Sequence, residues 1–229
     1  MKGLQPDRSE VLRALGVLAE PGQVVELRLL GVQSQGQRIP VTMSGYFDDF
    51  ELLATSACRY GGSAKGVYVT LNPVKPALLA RAANRLRTAG RNDPLTSDAD
   101  ITKRRWLPID LDPERPSGIS STDQEHSLAV QRAFQIRDAL RENGWPASLV
   151  GDSGNGAHLL YRVEIPTSDN ELVKQCLQAL ARWFDNDRVK VDQRVFNPAR
   201  IWKLYGTVSR KGDNVAERPH RLARILEAV

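Results

Sequence analysis

Alternating apolar and polar positions predict strands near the start of the chain. In "VVELRLL", Val25, Leu27 and Leu29 fall on one face, as a half-buried strand requires. The stretch "VTMSGYF" has the pattern of its hairpin partner, and "GVYVTLNPVKP" predicts a further strand. Helical patterns occupy "RSEVLRALGVLAEPG", which begins near Ser9, and "DDFELLATSACRYGG".

The pattern after this third strand predicts another helix and then a long polar loop. "PALLARAANRLRTAG" has helical spacing and ends at Gly90. "RNDPLTSDADITK" lacks apolar periodicity. We therefore expect a boundary between two halves of the fold near residue 100.

The second half predicts the order strand, helix, hairpin, helix, strand. "RRWLPIDLD" is a strand, and Thr122 and Glu125 stand in capping-box spacing before a long helix. "PASLVGD" and "AHLLYRVEI" flank the turn "SGNG", "DNELVKQCLQALARWF" is a helix and "RVKV" a short strand. This order resembles the split βαβ arrangement of an α+β protein, an antiparallel sheet with helices on one face. "RPHRLARILEA" predicts a terminal helix or a basic tail.

Composition narrows the classes of protein that this pattern allows. The 229 residues can bury a real core as one domain. A net charge of +5 permits a polyanionic partner without requiring one. The cysteines, Cys58 and Cys176, form no C-x-x-C pair, which excludes a cysteine zinc site and a disulfide framework. No membrane-length apolar run or signal-peptide core is visible, so we expect a cytoplasmic protein.

Two aspartates one residue apart follow the apolar start of a predicted strand. In "IDLDP", Asp110 and Asp112 share one face because side chains alternate along a strand. Adjacent carboxylates repel each other unless a cation lies between them. A pair of Mg²⁺ or Mn²⁺ ions held by oxygen ligands is the common solution in phosphoryl transfer, and Asp192 after "VKV" is placed to be a third ligand. The alternative is a solvated strand edge.

A glycine turn and a histidine follow in "SGNGAH". Two glycines in four residues let backbone N–H groups approach an anion closely. His158 opens the next strand. The histidine is either part of this site or an ordinary structural residue.

Basic and aromatic residues alternate in "VDQRVFNPARIWKLYGTVSRKGDN". Cations beside carboxylates suit a triphosphate, and aromatic rings suit base or sugar stacking. The alternative is a basic surface loop with a few core aromatics. The residues concerned are Arg194, Arg200, Lys203, Arg210 and Lys211, interleaved with Phe196, Trp202 and Tyr205.

These segments together resemble a known family. "IDLDP", "SGNGAHLLY" and "VDQRVFNPARIWKLYGTVSRKGD", in this order, are similar to the three motifs of archaeo-eukaryotic primases, above all the primase-polymerases of plasmids, phages and CRISPR-associated systems. "GVYVTLNPVKPALLARAANRL" resembles their N-terminal half. The resemblance implies one catalytic domain over 1–229, with an N-terminal α/β subdomain (1–100), an RRM-like antiparallel sheet (101–229) and an active cleft between them.

The resemblance also implies roles for individual residues. Asp110, Asp112 and Asp192 match the catalytic aspartates that bind two Mg²⁺ or Mn²⁺ ions, and His158 matches the histidine that contacts the nucleotide's phosphates. The family has serine where this chain has Gly156, so Ser153 is expected to replace it. No zinc is expected. The other expected nucleotide-binding residues are Asn72, Asn155, Gly156, Arg200, Lys203, Arg210 and Lys211.

The sequence thus predicts a DNA primase-polymerase that makes or extends primers on a single-stranded DNA template from dNTPs or NTPs. A helicase or other replication module is a possible partner, and the chain is either an excised catalytic domain or a stand-alone enzyme. One rival is a non-catalytic RRM-like module that binds single-stranded nucleic acid. Another is a rolling-circle nicking endonuclease, which needs two histidines flanking one apolar residue, whereas "LLY" follows His158 here. A metal-dependent sugar transferase would leave Asp192 and the basic cluster unexplained.

Overall fold

The computed structural model describes residues 4–33, 39–168 and 170–228. These residues fold into helices and antiparallel sheets. The helices are α1 (Arg8–Leu18), α2 (Phe50–Gly61), α3 (Asp123–Glu142) and α4 (Asn170–Phe184). The strands are β1 (Val25–Val32), β2 (Val41–Phe47), β3 (Gly66–Thr70), β4 (Arg87–Thr88), β5 (Arg104–Pro113), β6 (Ser148–Asp152), β7 (Ala157–Ile165), β8 (Val189–Val191), β9 (Ile201–Lys203), β10 (Val208–Ser209), β11 (Arg221–Leu222) and β12 (Arg224–Glu227).

The first sheet has the strand order β4-β2-β1-β3-β9, with antiparallel pairing throughout. The predicted alternation in β1 is present. Leu27 and Leu29 are fully buried in one cluster with Leu15 of α1 and Leu53 of α2. The intervening positions of β1 point to the opposite face of the sheet.

The second sheet has the strand order β12-β6-β7-β5-β8 and is also antiparallel. Along the chain, its elements run β5, α3, β6, β7, α4 and β8, which is the split βαβ order predicted from the sequence. β12 is an additional strand at the edge of this sheet. Ile109 and Leu111 of β5 are buried with Ala133 and Ile136 of α3. Since side chains alternate, Asp110 and Asp112 project from the face that the helices leave free.

The predicted helix over "PALLARAANRLRTAG" is wrong. Only Pro76–Arg81 form a short 3₁₀ helix. The chain then reverses at Asn84, whose φ is +51° and whose side chain accepts hydrogen bonds from the backbone of Asp48 and Asp49. It continues as β4, which pairs with β2. Pairing with an open sheet edge therefore overrides the local helical spacing.

The prediction for the C-terminus is also wrong. "RPHRLARILEA" forms neither a helix nor a tail, because β11 pairs with β10 and β12 pairs with β6. Ala223 and Ile225, two residues apart, are buried in the main core. Burial of every second residue is typical of a strand. Here β12 covers the edge of the second sheet.

The two sheets do not divide the chain at residue 100. β9, from the second half, pairs with β3 of the first sheet. One continuous cluster of buried apolar side chains includes residues of both sheets and all four helices named above. No helix in the described part of the chain is long and apolar enough to cross a membrane.

A buried ion pair joins β1 to the polar loop after β4. Glu26 is fully buried and accepts hydrogen bonds from the Arg28 guanidinium at 2.8 and 2.6 Å. Its carboxylate also accepts from the Ser44 hydroxyl at 2.6 Å and the Thr96 backbone N–H at 3.2 Å. Burial alone raises the pKa of Glu26, but these donors bring that pKa below its ordinary value.

We expect Glu26→Gln to lower the free energy of unfolding by about 3 kcal/mol at pH 7, because it leaves the Arg28 guanidinium buried without its counter-charge. The folded-state pKa of Glu26 is depressed. Its contribution is therefore present above the ordinary glutamate pKa and is lost as the pH falls through the folded value. Urea unfolding across this range measures the effect. Glu51→Gln, in an exposed pair with Arg8, is the control and should change stability little.

Candidate active site

A cavity of about 270 Å³ opens between the two sheets and gathers most of the polar residues singled out by the sequence. β5 and β7 line one wall, and β3 and β9 line the other. The charged and hydrogen-bonding side chains that line it are Tyr68, Asp110, Asp112, Ser153, Asn155, His158, Asp192, Arg200, Lys203, Ser209 and Lys211.

Strand register brings the three aspartates together. Asp110 of β5 lies directly opposite His158 of β7, and directly opposed residues point to the same face. β8 pairs with the other edge of β5, and the backbone N–H of Asp192 donates to the carbonyl of Asp110 at 2.8 Å. The predicted neighbouring-strand position of Asp192 is therefore present.

The neighbouring carboxylates affect the protonation of Asp110. Burial raises the pKa of Asp110 well above its ordinary value, and the negative charges of Asp112 and Asp192 raise it further. The positive charges of Lys211 and Arg200 act in the opposite direction. The carboxyl group of Asp110 thus lacks enough positive charge around it to favour its ionised form.

Asp112 and Asp192 each face a guanidinium group. Asp112 Oδ1 lies 3.3 Å from Arg115 Nη1, and Asp192 Oδ1 lies 3.1 Å from Arg194 Nε. As these side chains stand, no three His, Cys, Asp or Glu residues within the described ranges converge closely enough to hold a metal ion. The donor set nevertheless fits a hard divalent ion, because three carboxylates line one cavity and Asp110 is short of positive charge.

The glycine turn does not offer its backbone N–H groups to a ligand as the sequence predicted. Gly154 N donates to Asp152 Oδ1, and Ser153 N donates to the Gly156 carbonyl. The N–H groups of Asn155 and Gly156 both donate to Ser153 Oγ, at 3.3 and 2.9 Å. All four donors are engaged inside the turn, so anion binding there has to come from side chains.

Ser153 and Asn155 are the turn residues that line the cavity. Since Ser153 Oγ accepts two hydrogen bonds, its hydroxyl proton remains available to a ligand. Asn155 Oδ1 accepts from the backbone N–H of Ser121 at 2.9 Å. The turn therefore presents one hydroxyl and one amide side chain whose positions are fixed by its own hydrogen bonds.

A chain of hydrogen bonds fixes the tautomer of His158. Trp202 Nε1, which can only donate, lies 3.2 Å from the hydroxyl oxygen of Tyr205. That hydroxyl lies 3.0 Å from His158 Nδ1 and has no other acceptor among the described residues. Tyr205 therefore donates to Nδ1, and the ring proton of neutral His158 resides on Nε2.

His158 consequently acts as a neutral hydrogen-bond donor in the free protein. Burial lowers the pKa of His158 to about 3, and the charges of Lys203 and Lys211 contribute in the same direction. Its Nε2 lies 3.5 Å from Asp110 Oδ1, too long for a strong hydrogen bond. The Nε2–H group is therefore free to donate to an oxygen atom entering the cavity.

We expect Tyr205→Phe to lower kcat/KM for the nucleotide incorporation predicted from the sequence about tenfold, because loss of the hydroxyl releases the His158 tautomer. Tyr161→Phe is the matched control: Tyr161 is equally buried but packs on Trp145 outside the cavity. Steady-state kinetics of both variants measure the effect. Equal activity of the two variants would show that the hydroxyl of Tyr205 has only a packing role.

The buried Lys203 is the most strongly perturbed cation of the cavity. Its ammonium donates to Thr207 Oγ1 at 2.9 Å and to the Val208 carbonyl at 3.0 Å, and lies 5.7 Å from the centre of the Tyr68 ring. Burial lowers the pKa of Lys203 to about 7, with a smaller contribution from the charge of Arg210. At neutral pH this residue thus gains or loses charge readily.

Arg200 and Lys211 complete the positive side of the cavity. One guanidinium nitrogen of Arg200 donates to the backbone carbonyl of Arg194. Its Nε is buried and has no hydrogen-bond partner among the described residues. A buried donor without an acceptor is costly, so Arg200 favours an anionic ligand at this position.

Three of the predicted nucleotide-binding residues do not reach the cavity. The Asn72 side chain is buried, donating to the Pro198 carbonyl and accepting from the N–H of Arg105, so it links β5 to the loop before β9 instead of facing the cleft. Arg210 donates to the carbonyls of Gly61 and Leu4 near α2. Gly156 serves strand packing, because a Cβ there would lie 2.2 Å from the Leu111 carbonyl oxygen.

The aromatic residues of the basic cluster are also placed differently from the prediction. Trp202 and Tyr205 are buried beneath His158, with the Trp202 ring centre 4.2 Å from the imidazole centre. Trp202 also borders the cavity, but its ring is only 2% exposed and supports the histidine, so it offers no free face for base stacking. Tyr68 lines the cavity as well and is only partly buried. Its only sequence signal is its position in "GVYVT", on the opposite face from Val67 and Val69.

Comparisons with known proteins identify the fold. Neither the protein-family models nor the curated proteins contain a match to the chain. Among solved structures, the chain is similar to primase RepB′, with a TM-score of 0.51 and 13% sequence identity over 96% of this chain and 56% of that chain. The chain thus spans just over half of that protein. The likeness shows that the chain shares the fold of this primase, which confirms the predicted α+β fold class.

Further structural neighbours lie at lower similarity. The catalytic domain of primase RepB′ in complex with initiator DNA gives a TM-score of 0.48 and 14% identity, covering 96% of this chain and 85% of that chain. The polymerase domain of Mycobacterium tuberculosis ligase D in complex with DNA gives a TM-score of 0.47 and 14% identity, covering 94% of this chain and 81% of that chain.

Proposed function

We propose that the protein is a DNA primase-polymerase, which joins nucleotides by template-directed transfer on single-stranded DNA. The observation that supports this most is the composition of one cavity. Three carboxylates, Asp110, Asp112 and Asp192, line it together with the three cations Arg200, Lys203 and Lys211. Such a cavity can hold divalent ions and a triphosphate next to each other.

Asp110, Asp112 and Asp192 would hold two Mg²⁺ or Mn²⁺ ions. When bound, such ions lower the pKa of the attacking 3′-hydroxyl and neutralise charge on the phosphates. The protein's own contribution is to keep the carboxylates on one face of the sheet through the pairing of β5 with β8. A bound cation would favour the ionised form of Asp110, whose pKa is raised in the free protein.

The triphosphate of the incoming nucleotide would bind along the opposite wall. Lys203, with two of its three donors engaged, keeps its third for a phosphate oxygen. Arg200 offers its unpartnered Nε–H, and His158 offers its Nε2–H without adding charge. The 3′-oxygen would form a bond to the α-phosphorus as the bond to the β-phosphate oxygen breaks. Pyrophosphate would leave with the electron pair, and the hydroxyl proton would pass to water.

The non-catalytic binding module fits the cavity less well. A binding sheet needs exposed aromatic rings on its central strands, but the cleft-facing positions of β5 and β7 include Asp110, Asp112 and His158. The nicking endonuclease would need a reactive tyrosine. Burial raises the pKa of Tyr68, and the charges of Asp110 and Asp112 raise it further, which disfavours its nucleophilic form.

A paired assay tests the proposal. One arm offers an unprimed single-stranded DNA template and the other a primed template, each with Mg²⁺ or Mn²⁺ and labelled dNTPs or NTPs. We expect product on the unprimed template, which would make the protein a primase. Product on the primed template alone would make it a polymerase whose start depends on a partner such as a helicase or another replication module. Binding of single strands without product in either arm would favour the non-catalytic module.

A further inference from the structure

The loop between β10 and β11 carries one of the cations of the cavity. β10 and β11 pair as antiparallel neighbours, so residues 210–220 form the loop of a hairpin. Lys211 is the second residue of this loop and lines the cavity. Its ammonium group makes no hydrogen bond or ion pair within the part of the chain that the structure describes. The position of this ammonium group therefore depends on the backbone that carries it.

Contacts with the segment before α3 hold the backbone around Lys211. The hydroxyl of Ser120, a residue that is 1% exposed, donates to the Lys211 carbonyl at 3.0 Å. Next to it, Gly212 has a φ of +68°, and a Cβ there would lie 3.1 Å from the Gly118 carbonyl oxygen. The start of the loop thus packs closely on the segment before α3.

Arg218, near the end of the same loop, reaches α3. Its guanidinium donates to both carboxylate oxygens of Glu125, at 2.8 and 3.0 Å, and to the Ser120 carbonyl at 2.8 Å. Burial alone raises the pKa of Glu125, but hydrogen bonds from Arg218 and the Thr122 N–H bring that pKa below its ordinary value. Bidentate pairs of this kind are among the stronger hydrogen bonds of proteins. Ser120 is the common partner, because its carbonyl accepts from Arg218 and its hydroxyl donates to Lys211.

A second arginine contacts the same helix less firmly. Arg221 of β11 donates to Asp123 Oδ1 at 2.6 Å and to the Ser121 carbonyl at 2.9 Å. The Asp123 side chain is 83% exposed, whereas that of Glu125 is 24% exposed. Solvent weakens an exposed pair, so Arg218 makes the stronger contact between the loop and α3.

We propose that Arg218 is a positioning residue for nucleotide binding. Its contacts with α3 and Ser120 hold loop 210–220 in place, so that the ammonium group of Lys211 meets the triphosphate. This inference rests on the proposed function. A lysine reaches a phosphate as a point charge on a flexible stem, and a fixed backbone lowers the entropy cost of binding. Arg218 does not line the cavity itself, so it acts through Lys211.

A double-mutant cycle on nucleotide binding tests this role. Equilibrium titration with a non-hydrolysable nucleoside triphosphate and Mg²⁺ should give a Kd about fivefold higher for Arg218→Gln than for the wild type. In a Lys211→Gln background the same substitution should have no further effect, because the ammonium group that it positions is already gone. Equal losses in both backgrounds, or no loss in the wild-type background, would overturn the inference.

Arg137→Gln is the matched control. Arg137 joins α3 to β12 through Glu227, its side chain is 22% exposed, and it does not line the cavity. This variant should bind the nucleotide like the wild type even if it loses as much stability as Arg218→Gln. Ser120→Ala serves if Arg218→Gln does not fold, because it removes only the hydroxyl that donates to the Lys211 carbonyl. It should raise the Kd in the wild-type background alone, and a loss in both backgrounds would overturn the inference.

Kinetics separate this inference from the proposed function. On a primed template, Arg218→Gln should raise the KM for the incoming nucleotide and leave kcat unchanged, because it weakens binding of the ground state and the transition state alike. A fall in kcat without a change in KM would overturn the inference. The coupled loss of binding without any product from the wild type would refute the proposed function but not the role of Arg218. Template-directed synthesis that is unchanged in Arg218→Gln would do the reverse.

Discussion

Asp110→Asn is expected to lower nucleotide incorporation by about 10³-fold or more while leaving the protein folded. The variant removes a carboxylate that would contribute several kcal/mol of charge stabilisation through the ions that we propose it holds. The asparagine side chain has nearly the same shape as the aspartate side chain. Its lack of charge also removes the repulsion between position 110 and the neighbouring carboxylates, so the variant should fold. Single-turnover extension of a primed template measures the loss. Asp138→Asn, an exposed position on α3, is the control and should retain full activity.

The stability of the same variant tests the metal site independently of activity. The folded-state pKa of Asp110 is raised, so the stability of metal-free protein should fall as the pH rises from the ordinary aspartate pKa through the raised value. Asp110→Asn should lack this slope and have a higher Tm at neutral pH. Mn²⁺ should raise the Tm of the wild type and have little effect on the variant. An equal Mn²⁺ effect on both proteins would contradict metal binding by Asp110.

Lys203→Met is expected to weaken binding of the incoming nucleotide about 100-fold at pH 6, because it deletes a buried cation facing the triphosphate. Equilibrium titration with a non-hydrolysable nucleotide measures this. The effect should shrink as the pH rises, since the pKa of Lys203 is about 7 and the wild-type residue loses its charge above that value. A pH-independent loss would mean that Lys203 acts through packing alone.

The wild-type affinity should follow the same titration. If only charged Lys203 binds the triphosphate, affinity falls about fivefold between pH 7 and pH 8. Lys203→Arg keeps its charge throughout this range and should flatten the profile. Testing binding instead of turnover separates Lys203 from the ionisation of the attacking hydroxyl.

The positions of the three aspartates could be predicted from the sequence because side chains alternate along a strand. Asp110 and Asp112 share a face by alternation, and the short strand before Asp192 has one open edge to pair with. His158 was found through its place after the glycine turn. Its neutral state and its tautomer were not, because they depend on Trp202 and Tyr205, more than forty residues away in sequence.

The errors share a physical cause. Asn72, Arg210 and the segment after Pro76 all lie where long-range partners decide the outcome. Asn72 links β5 to the loop before β9, Arg210 reaches carbonyls beside α2, and β4 completes a sheet edge. Tertiary contacts of this kind override local propensity, and they leave no periodic signal in the sequence.

A cavity that copies a template selects each nucleotide by the template base. This selection is measured by the identity of the nucleotide added to a labelled primer on homopolymer templates, with all four dNTPs offered one at a time. We expect addition of dAMP opposite thymine and of dGMP opposite cytosine, one pyrophosphate released per nucleotide, and no addition by Asp110→Asn. Addition that ignores the template base, or that persists in Asp110→Asn, would contradict this expectation.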